Sequence, residues 1–381
     1  MYFDHNATTP IAPEAAQVLS EALQTVQGNA SSVHGAGQIA RRQIENARRT
    51  IAASLGVTPA ELVFTSGGTE SNNLAIFGLL RALPAGPKHV LASGIEHPSV
   101  LECFRRMASE GMAVDIVDPA DLERHIRPET ALVSVIHANN ETGDIQPIEQ
   151  IAGLVRAHRA AGQAIWFHSD GVQAFGKLPV DLSRLGVDLY SISAHKIHGP
   201  KGIGALFVRK GTPLAPLLAG GRQERGRRAG TENVPAAMAF ACAVELCGDA
   251  DREHCAPLRD RFEVQVLGVL DNTEINSRAD ARLPNTSNLL FRGVSAEALL
   301  IALDLKGMAV STGSACSSGS IEPSHVLLAM GRTKEEASSS IRFSFGRYNT
   351  AEEIDALSDA VIASVRQLRQ HSLKENRLVA V

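Results

Sequence analysis

The stretch LYSISAHKIHGPKGIGALFV, residues 189–208, does most to decide the fold. Apolar runs at 189–193 and 205–208 predict two buried strands, and the glycine-rich turn between them carries His195 and Lys196. Ligands of open α/β sheets bind at the carboxyl ends of strands. A lysine directly after a strand is therefore a candidate site residue.

The same alternation of short apolar runs and longer amphipathic segments begins near residue 50, and it predicts an α/β fold with a mainly parallel sheet wrapped by helices. The predicted strands of this sheet are residues 62–64, 89–92, 113–117, 131–136, 164–167, 189–193 and 205–208. The predicted helices between them include residues 71–80 and 148–161.

The rhythm changes after an apolar helix predicted at 235–247. Strands near 288–291 and 341–345 and helices near 296–305 and 351–370 predict a second, smaller α+β domain. The polar segment 248–255 is the expected boundary. We predict a large domain over 13–251 and a small domain over 252–381, joined by the amino-terminal segment 1–12.

Composition narrows the class of function. The chain has 381 residues, of which 44% are hydrophobic, and a formal net charge of −4. Interspersed charges of both signs offer no broad cationic field, so we expect neither direct nucleic-acid binding nor membrane binding. Small-molecule chemistry is the better expectation.

The cysteines are odd in number and contain no C-x-x-C pair: Cys103, Cys242, Cys247, Cys255 and Cys316. Neither a disulfide framework nor a metal site is indicated. The start MYFDHNATTPIAPE lacks the basic and apolar regions of a signal peptide. A cytoplasmic protein with reduced thiols is expected.

Two charged residues follow predicted strands. Lys196, if partly desolvated, can form an imine with an aldehyde cofactor, and the alternative is an ordinary solvated loop lysine. Asp170, in HSDGVQ, can keep a pyridinium nitrogen protonated, and the alternative is an acidic helix cap. Gln173 follows Asp170 by about one turn.

The segment FTSGGTES, residues 64–71, leaves a strand through Gly67 and Gly68 and enters a helix near Thr69. Such a turn suits a phosphate, because glycines permit close approach and the first helical amides point outward. A plain capped turn is the alternative. The segment has neither the Walker lysine nor the G-x-G-x-x-G dinucleotide pattern.

Three more positions allow a functional or a structural interpretation. His97, before Pro98, can stack on a flat ring and move protons, or simply form the turn. Asn139 and Asn140 can bind a ring hydroxyl or a carboxylate, or form a turn. Arg342 alternates with apolar neighbours on its strand, so it binds a substrate carboxylate or faces solvent.

Small residues surround Cys316 in STGSACSSGSIEPSH, residues 311–325. This composition is typical of a solvated loop, which suits a reactive thiol that approaches a bound substrate; an unremarkable surface thiol is the alternative. The segment GGRQERGRRAGTEN, residues 220–233, crowds four arginines near Thr231. It closes a phosphate pocket or serves a subunit interface.

Together these motifs resemble the cysteine desulfurases of the NifS/IscS group. The resemblance rests on nine segments: DHNATTP, FTSGGTESNN, EHPSV, HANNETG, HSDGVQAFGK, SAHKIHGPKGIGAL, QERGRRAGTEN, STGSACSSGSIEPSH and SSIRFSFGRY. They extend from Asp4 to the last strand motif, and the likeness continues to about Leu368. It implies a fold-type-I enzyme dependent on pyridoxal 5'-phosphate, with a seven-stranded cofactor domain, and a homodimer.

The resemblance also implies a role for each site residue. The Schiff-base lysine would be Lys196, the pyridinium partner Asp170, the ring-stacking histidine His97 and the persulfide-forming cysteine Cys316. The remaining implied contacts are Gln173 to the ring hydroxyl, Gly68, Thr69, Ser193 and His195 to the phosphate, Thr231 to the partner subunit's phosphate, and Asn140 and Arg342 to the substrate.

The implied reaction converts L-cysteine to L-alanine and leaves sulfur on Cys316 for an acceptor such as an iron–sulfur scaffold protein. A selenocysteine lyase, an aminotransferase and a non-catalytic sulfur carrier on the same fold are the alternatives. The sequence departs from relatives at Ala30, Gly171, Gln223 and Leu328, where proline, alanine, histidine and arginine are frequent. The segment 115–122 is also shorter than in those relatives.

Overall fold

The computed structural model describes residues 1–277, 281–313 and 322–379. The chain forms two compact units. The larger unit consists of Thr9–Ala138 and Gln146–Gly248, and the smaller one of Met1–Thr8, Asn139–Ile145 and the chain from Asp249 onward. The domain bounds derived from the sequence stay a prediction.

A seven-stranded sheet forms the centre of the larger unit. Its strands are β1 (Leu62–Thr65), β2 (His89–Ser93), β3 (Ala113–Val117), β4 (Thr130–Ser134), β5 (Trp166–Asp170), β6 (Leu189–Ser193) and β7 (Gly204–Val208). Their order is β1-β7-β6-β5-β4-β2-β3. Strand β7 is antiparallel to β1 and β6, whereas the other neighbours are parallel. The predicted α/β fold with a mainly parallel seven-stranded sheet is confirmed.

Most of these strands appear as apolar runs in the sequence because their residues are buried. Every residue of β1, β2, β4, β6 and β7 is buried, as expected for strands covered on both faces. The edge strand β3 is only partly buried. Its Asp115 binds Arg127 Nη2 at 2.6 Å, and such charged groups disfavour edge-to-edge pairing.

The helices of the larger unit are α1 (Pro13–Thr25), α2 (Gly35–Ser54), α3 (Gly68–Asn73), α4 (Leu79–Ala82), α5 (Pro98–Ser109), α6 (Leu122–His125), α7 (Ile148–Ala160), α8 (Leu182–Leu185) and α9 (Val234–Glu245). A π-helical turn at Leu74–Gly78 joins α3 to α4, so the helical backbone is continuous across 68–82. Single 3-10 turns occur at Pro59–Glu61, Pro119–Asp121, Ala194–Lys196 and Gln223–Gly226.

The smaller unit contains an antiparallel sheet of order β10-β9-β8, built from β8 (Thr273–Ile275), β9 (Thr286–Phe291) and β10 (Ser340–Ser344). Its helices are α10 (Asp249–Leu267), α11 (Ala296–Asp304), α12 (His325–Ala329), α13 (Lys334–Ala337) and α14 (Ala351–Val379). Phenylalanines centre its core, with the Phe262 and Phe343 ring centroids 4.6 Å apart.

The amino terminus belongs to this unit, because Tyr2 and Asp4 form bridges to Ala309 and Ser344. The bridge from Asp4 extends the smaller sheet at β10, and the bridge from Tyr2 reaches the segment after α11. In the described part of the chain, no helix is both long enough and apolar enough to cross a membrane.

Several element boundaries in the structure differ from the predicted ones. Asp170 is the last residue of β5, and a turn follows it, so the helix-cap alternative for Asp170 is wrong. The helix predicted at 71–80 begins at Gly68, because the polar residues of the glycine turn form its first turn. The polar segment 248–255 is mostly helical, as α10 begins at Asp249.

Candidate active site

The turn that carries Lys196 is tightly hydrogen-bonded within the larger unit. Lys196 ends a 3-10 turn directly after β6. The Ala194 carbonyl accepts from Ile197 N at 3.0 Å and from Gly199 N at 2.9 Å. The backbone around the lysine is thus fixed rather than a loose solvated loop, and Lys196 is half-buried.

Thr9, from the DHNATTP motif, holds this turn from the other side. Its backbone N and its Oγ1 each donate to the His195 carbonyl at 2.9 Å. His198 N donates to Thr9 Oγ1 at 2.7 Å. Burial, with the nearby charge of Lys196, lowers the pKa of His195 to about 4, so its imidazole is uncharged near neutral pH.

Asp170 is buried and each carboxylate oxygen accepts a hydrogen bond. Val172 N donates to Oδ1 at 2.9 Å, and Asn72 Nδ2 donates to Oδ2 at 2.7 Å. His137 N holds the Asp170 carbonyl at 2.9 Å. Donors to both oxygens hold the carboxylate in one orientation. A fixed anion at the end of a central strand is what a protonated pyridine nitrogen needs as a partner.

The glycine turn 67–68 lies beside Ser193 and the loop after Asp170. A Cβ on Gly67, where φ is +150°, would approach Ser193 Oγ to 3.9 Å. A Cβ on Gly68 would come within 2.8 Å of Val172 Cγ2. A side chain at position 68 would therefore push against Val172 in the loop after Asp170.

Ser193 Oγ is buried and has no hydrogen-bond partner among the described residues. The first amides of the helical segment that begins at Gly68 have no acceptor within that helix. An unpartnered hydroxyl beside such amides fits a phosphate. The residues present thus suit pyridoxal phosphate: Lys196, Asp170, and this phosphate cradle all lie on the larger unit.

Gln173 and His97 complete the predicted cofactor residues of the larger unit. Gln173 is buried, and its Oε1 accepts from Lys177 Nζ at 2.5 Å. His97 caps the start of α5, where its Nδ1 accepts from Ser99 N at 3.1 Å. Thr69 and Thr231 are exposed in the single chain.

Tyr190 explains why glycine, rather than alanine, follows Asp170. A Cβ on Gly171 would lie 1.9 Å from Tyr190 Cζ and 2.3 Å from Tyr190 Oη. The tyrosine ring is fully buried, and its hydroxyl is 2.7 Å from His137 Nδ1. Gly171 is therefore the partner of a large side chain on the neighbouring strand.

We expect Gly171→Ala to destabilise the protein by about 1–3 kcal/mol, the usual cost of overpacking a rigid core. Urea unfolding measures the loss. Tyr190→Leu should make the alanine tolerable, so the double variant should be more stable than the sum of the single changes predicts. A Gly171→Ala variant as stable as the parent would refute this packing argument.

Several side chains of the arginine loop, residues 220–233, bind to groups of the larger unit. Arg228 pairs with Glu70 at 2.8 Å. Arg225 and Arg227 donate to the Pro59 and Ala60 carbonyls at 3.3 and 2.5 Å. These contacts fix the conformation of the loop. Thr231, at the end of the loop, remains exposed.

A buried ion pair anchors the loop more firmly. Arg48 Nη1 and Nη2 each lie 2.7 Å from an oxygen of Glu224, which also accepts from Phe64 N at 2.9 Å. Glu224 and Arg225 have φ of +46° and +57°, an unfavourable conformation for non-glycine residues. The ion pair holds the loop in this conformation.

The predicted substrate residues lie in the smaller unit. Arg342 is buried rather than solvated, so the alternative of a solvated strand arginine is wrong. Its Nη2 is 2.7 Å from Asp4 Oδ1, and its Nη1 donates to the Asn140 carbonyl at 3.1 Å. Arg342 Nε has no hydrogen-bond partner among the described residues.

Three asparagines of the smaller unit lie in the segments around this contact. Asn6 Nδ2 also donates to the Asn140 carbonyl, at 3.1 Å. The sequence allows Asn139 either a role in a turn or a role in ligand binding. In the structure its Oδ1 accepts from Glu141 N and Thr142 N at 2.8 and 3.0 Å. Asn139 forms the turn, and Asn140 is placed beside the guanidinium.

Cys316 lies outside the described residues, and its role stays a prediction. Within the described ranges, no group of three or more histidine, cysteine, aspartate or glutamate side chains is arranged to hold a metal ion.

Sequence reasoning missed Asp4, Asn72, Ser99 and Tyr190. Asp4, Asn72 and Ser99 stand inside segments that the resemblance quoted, namely DHNATTP, FTSGGTESNN and EHPSV. Tyr190 lies in the stretch 189–208, within a strand that the apolar pattern predicts to be buried. The motifs indicate that these segments belong to the site. They do not predict which contacts the side chains within them make.

The aminotransferase class-V family model matches residues 1–357, and the chain belongs to this family. A relative named cysteine desulfurase IscS, from Dictyoglomus turgidum, is 43% identical over 380 residues and aligns with 97% of this chain and 95% of its own. The resemblance to the NifS/IscS group is confirmed.

Solved structures of similar proteins support the same family. A NifS-like protein matches with a TM-score of 0.86 and 34% identity, covering 97% of this chain and 98% of its own. A structure described as SspA in complex with cysteine matches with a TM-score of 0.79 and 34% identity, covering 92% of this chain and 99% of its own.

Proposed function

We propose that this chain is a pyridoxal-phosphate-dependent cysteine desulfurase that converts L-cysteine to L-alanine and transfers the sulfur to Cys316 as a persulfide. The observation that carries the proposal is the arrangement of Lys196, Asp170 and Ser193 at adjacent strand ends, beside the glycine turn. Relatives over nearly the whole chain are named cysteine desulfurases, which supports this choice among enzymes with similar motifs.

Residues of the larger unit would hold the cofactor. Lys196 would bind its aldehyde carbon, Asp170 its ring nitrogen and Gln173 its ring hydroxyl, while His97 would stack on the ring. Ser193, His195, Gly68 and Thr69 would bind its phosphate. When bound, pyridoxal phosphate withdraws electrons from the α-carbon of the amino acid.

The chain's own groups would then perform the proton and sulfur transfers. The Lys196 amine would take the α-proton. The Cys316 thiolate would attack the substrate sulfur, so that an S–S bond forms and the C–S bond breaks. The carbon that loses sulfur takes a proton, which the Lys196 ammonium formed in the first step would return. Alanine leaves as the second product.

Arg342 and Asn140 would receive the substrate carboxylate. We expect Arg342→Lys to raise KM for cysteine by about tenfold, because lysine keeps the charge but loses the planar fork of two donors. Steady-state kinetics give the answer. Arg347→Lys, which alters the Asp251 pair in the same segment, is the matched control and should leave KM unchanged. A normal KM in Arg342→Lys would remove Arg342 from the substrate site.

The proposed homodimer rests on Thr231, which would reach the phosphate of the partner subunit. Leu23, Val33 and Ile39 support it, since these apolar side chains are 66%, 89% and 45% exposed in the single chain. Two chains should sediment together at assay concentration. A fully active monomer would contradict this arrangement.

Turnover of free cysteine by the holoenzyme tests the function. We expect equal amounts of alanine and reducible sulfur, with no requirement for a keto acid. Activity that depends on a keto acid would favour an aminotransferase, and strong preference for selenocysteine would favour a selenocysteine lyase. A purified protein that binds no cofactor would instead support a non-catalytic carrier.

The sulfur acceptor and the cellular location stay predictions. We propose a cytoplasmic enzyme that serves a sulfur-acceptor protein such as an iron–sulfur scaffold. Sequencing of persulfide-accepting proteins recovered with the wild type but not with Cys316→Ser would identify the acceptor.

A further inference from the structure

Four polar side chains of the larger unit form a continuous hydrogen-bonded line from Asp170 to His97. Asn72 Nδ2 lies 2.7 Å from Asp170 Oδ2 and 2.8 Å from Ser99 Oγ. Ser99 Oγ lies 2.8 Å from His97 Nδ1. Asn72 and Asp170 are buried, and Ser99 and His97 are half-buried.

The charge of Asp170 sets the direction of the first bond. An ionised carboxylate only accepts, so the Asn72 amide must present its nitrogen to Asp170. A reversed amide would place Oδ1 against the carboxylate. The two hydrogens of Nδ2 are then both used, one on Asp170 and one on Ser99 Oγ.

The direction continues to His97. The Ser99 hydroxyl accepts from Asn72 and can still direct its single hydrogen to His97 Nδ1, 2.8 Å away. The Ser99 backbone N–H donates to the same nitrogen at 3.1 Å, and this group can only donate. Nδ1 therefore carries no proton, and the proton of the neutral imidazole is on Nε2.

The position of His97 disfavours the charged form as well. His97 is the N-cap of α5, which spans 12 residues, and the start of a helix repels positive charge. A protonated Nδ1 would also direct its hydrogen at the Ser99 N–H.

We propose that Asn72 and Ser99 are positioning residues that couple Asp170 to His97 and hold the His97 imidazole with its proton on Nε2. The proposal rests on the proposed function only for the roles given to Asp170 and His97. Its consequence concerns the role of His97: with its proton on Nε2 and Nδ1 held by Ser99, the neutral imidazole is a hydrogen-bond donor and does not act as the base. Lys196 is then the base that takes the α-proton.

The proton position is measured directly by nitrogen NMR of the holoenzyme labelled at histidine, at pH 8. The His97→Gln variant identifies the His97 signals by their loss. We expect Nε2 to show the shift of a protonated nitrogen and Nδ1 that of an acceptor. A proton on Nδ1, or an imidazolium, would overturn the proposal. This result does not depend on whether cysteine is the substrate.

Matched variants test the link. Ser99→Thr keeps the hydroxyl and should keep the His97 shifts, whereas Ser99→Ala should move the Nδ1 shift and lower kcat about tenfold, the usual effect of losing one such hydrogen bond. Asn72→Ala should move the same shift without any contact to His97. Identical His97 shifts in wild type, Ser99→Ala and Asn72→Ala would show that the line does not control the imidazole.

Discussion

Replacing Lys196 with alanine should abolish the conversion of cysteine to alanine, with a loss of roughly 10⁴-fold or more, because one amine serves as both the cofactor anchor and the base. The visible absorbance of the lysine-bound cofactor should disappear as well. Lys196→Arg should not restore activity, since a guanidinium stays protonated and cannot form the imine. Alanine formation and absorbance spectra measure both effects.

Lys201→Ala is the matched control, because Lys201 lies in the same glycine-rich segment but is exposed. It should bind cofactor and turn over cysteine normally. Normal alanine production by Lys196→Ala would contradict the assignment. Equal losses in both lysine variants would instead indicate damage to the turn that Thr9 holds.

Replacing Cys316 with serine should separate cofactor chemistry from sulfur transfer. A serine hydroxyl is barely ionised near neutral pH, so we expect turnover to fall at least about a thousandfold. The variant should still bind cofactor and change its spectrum when cysteine is added, because Lys196, Asp170 and the phosphate residues are intact. Turnover and difference spectra, recorded on one preparation, test the two halves.

Cys242→Ser is the matched control for this change. Burial raises the pKa of the Cys242 thiol, so its sulfur is a poor nucleophile and its loss should leave sulfur transfer intact. Near-normal release of alanine and sulfide by Cys316→Ser would contradict the role of Cys316 even if cofactor binding were normal.

The fold could be predicted because its strands are buried on both faces. Leu189–Ser193 and its neighbours show as apolar runs for that reason. The predicted strand ends were less accurate. Asp170 belongs to β5, because a polar residue can continue a strand when its side chain finds donors such as Val172 N and Asn72 Nδ2.

Contacts between distant segments could not be predicted. Arg48 and Glu224 are 176 positions apart, and no periodicity indicates that this arginine anchors the arginine loop. The sequence departs from relatives at Gly171, and no local pattern in the sequence explains the glycine. The reason is the ring of Tyr190 on the adjacent strand, which only the sheet register reveals.

Asn72 and Ser99 show the same limit at the candidate site. Each stands in a motif that the sequence marked for phosphate or for His97. Their joint role depends on how α3, β5 and α5 meet within the larger unit, because the bonded atoms come from all three elements.

The location of sulfur after one turnover tests the central claim most directly. Holoenzyme is mixed with one equivalent of sulfur-labelled cysteine, quenched by alkylation, digested and analysed by mass spectrometry, with alanine counted in the same sample. The account predicts one alanine for each persulfide, with the label on the Cys316 peptide. Label on Cys103, Cys242, Cys247 or Cys255, or alanine formed without any persulfide at Cys316, would contradict it.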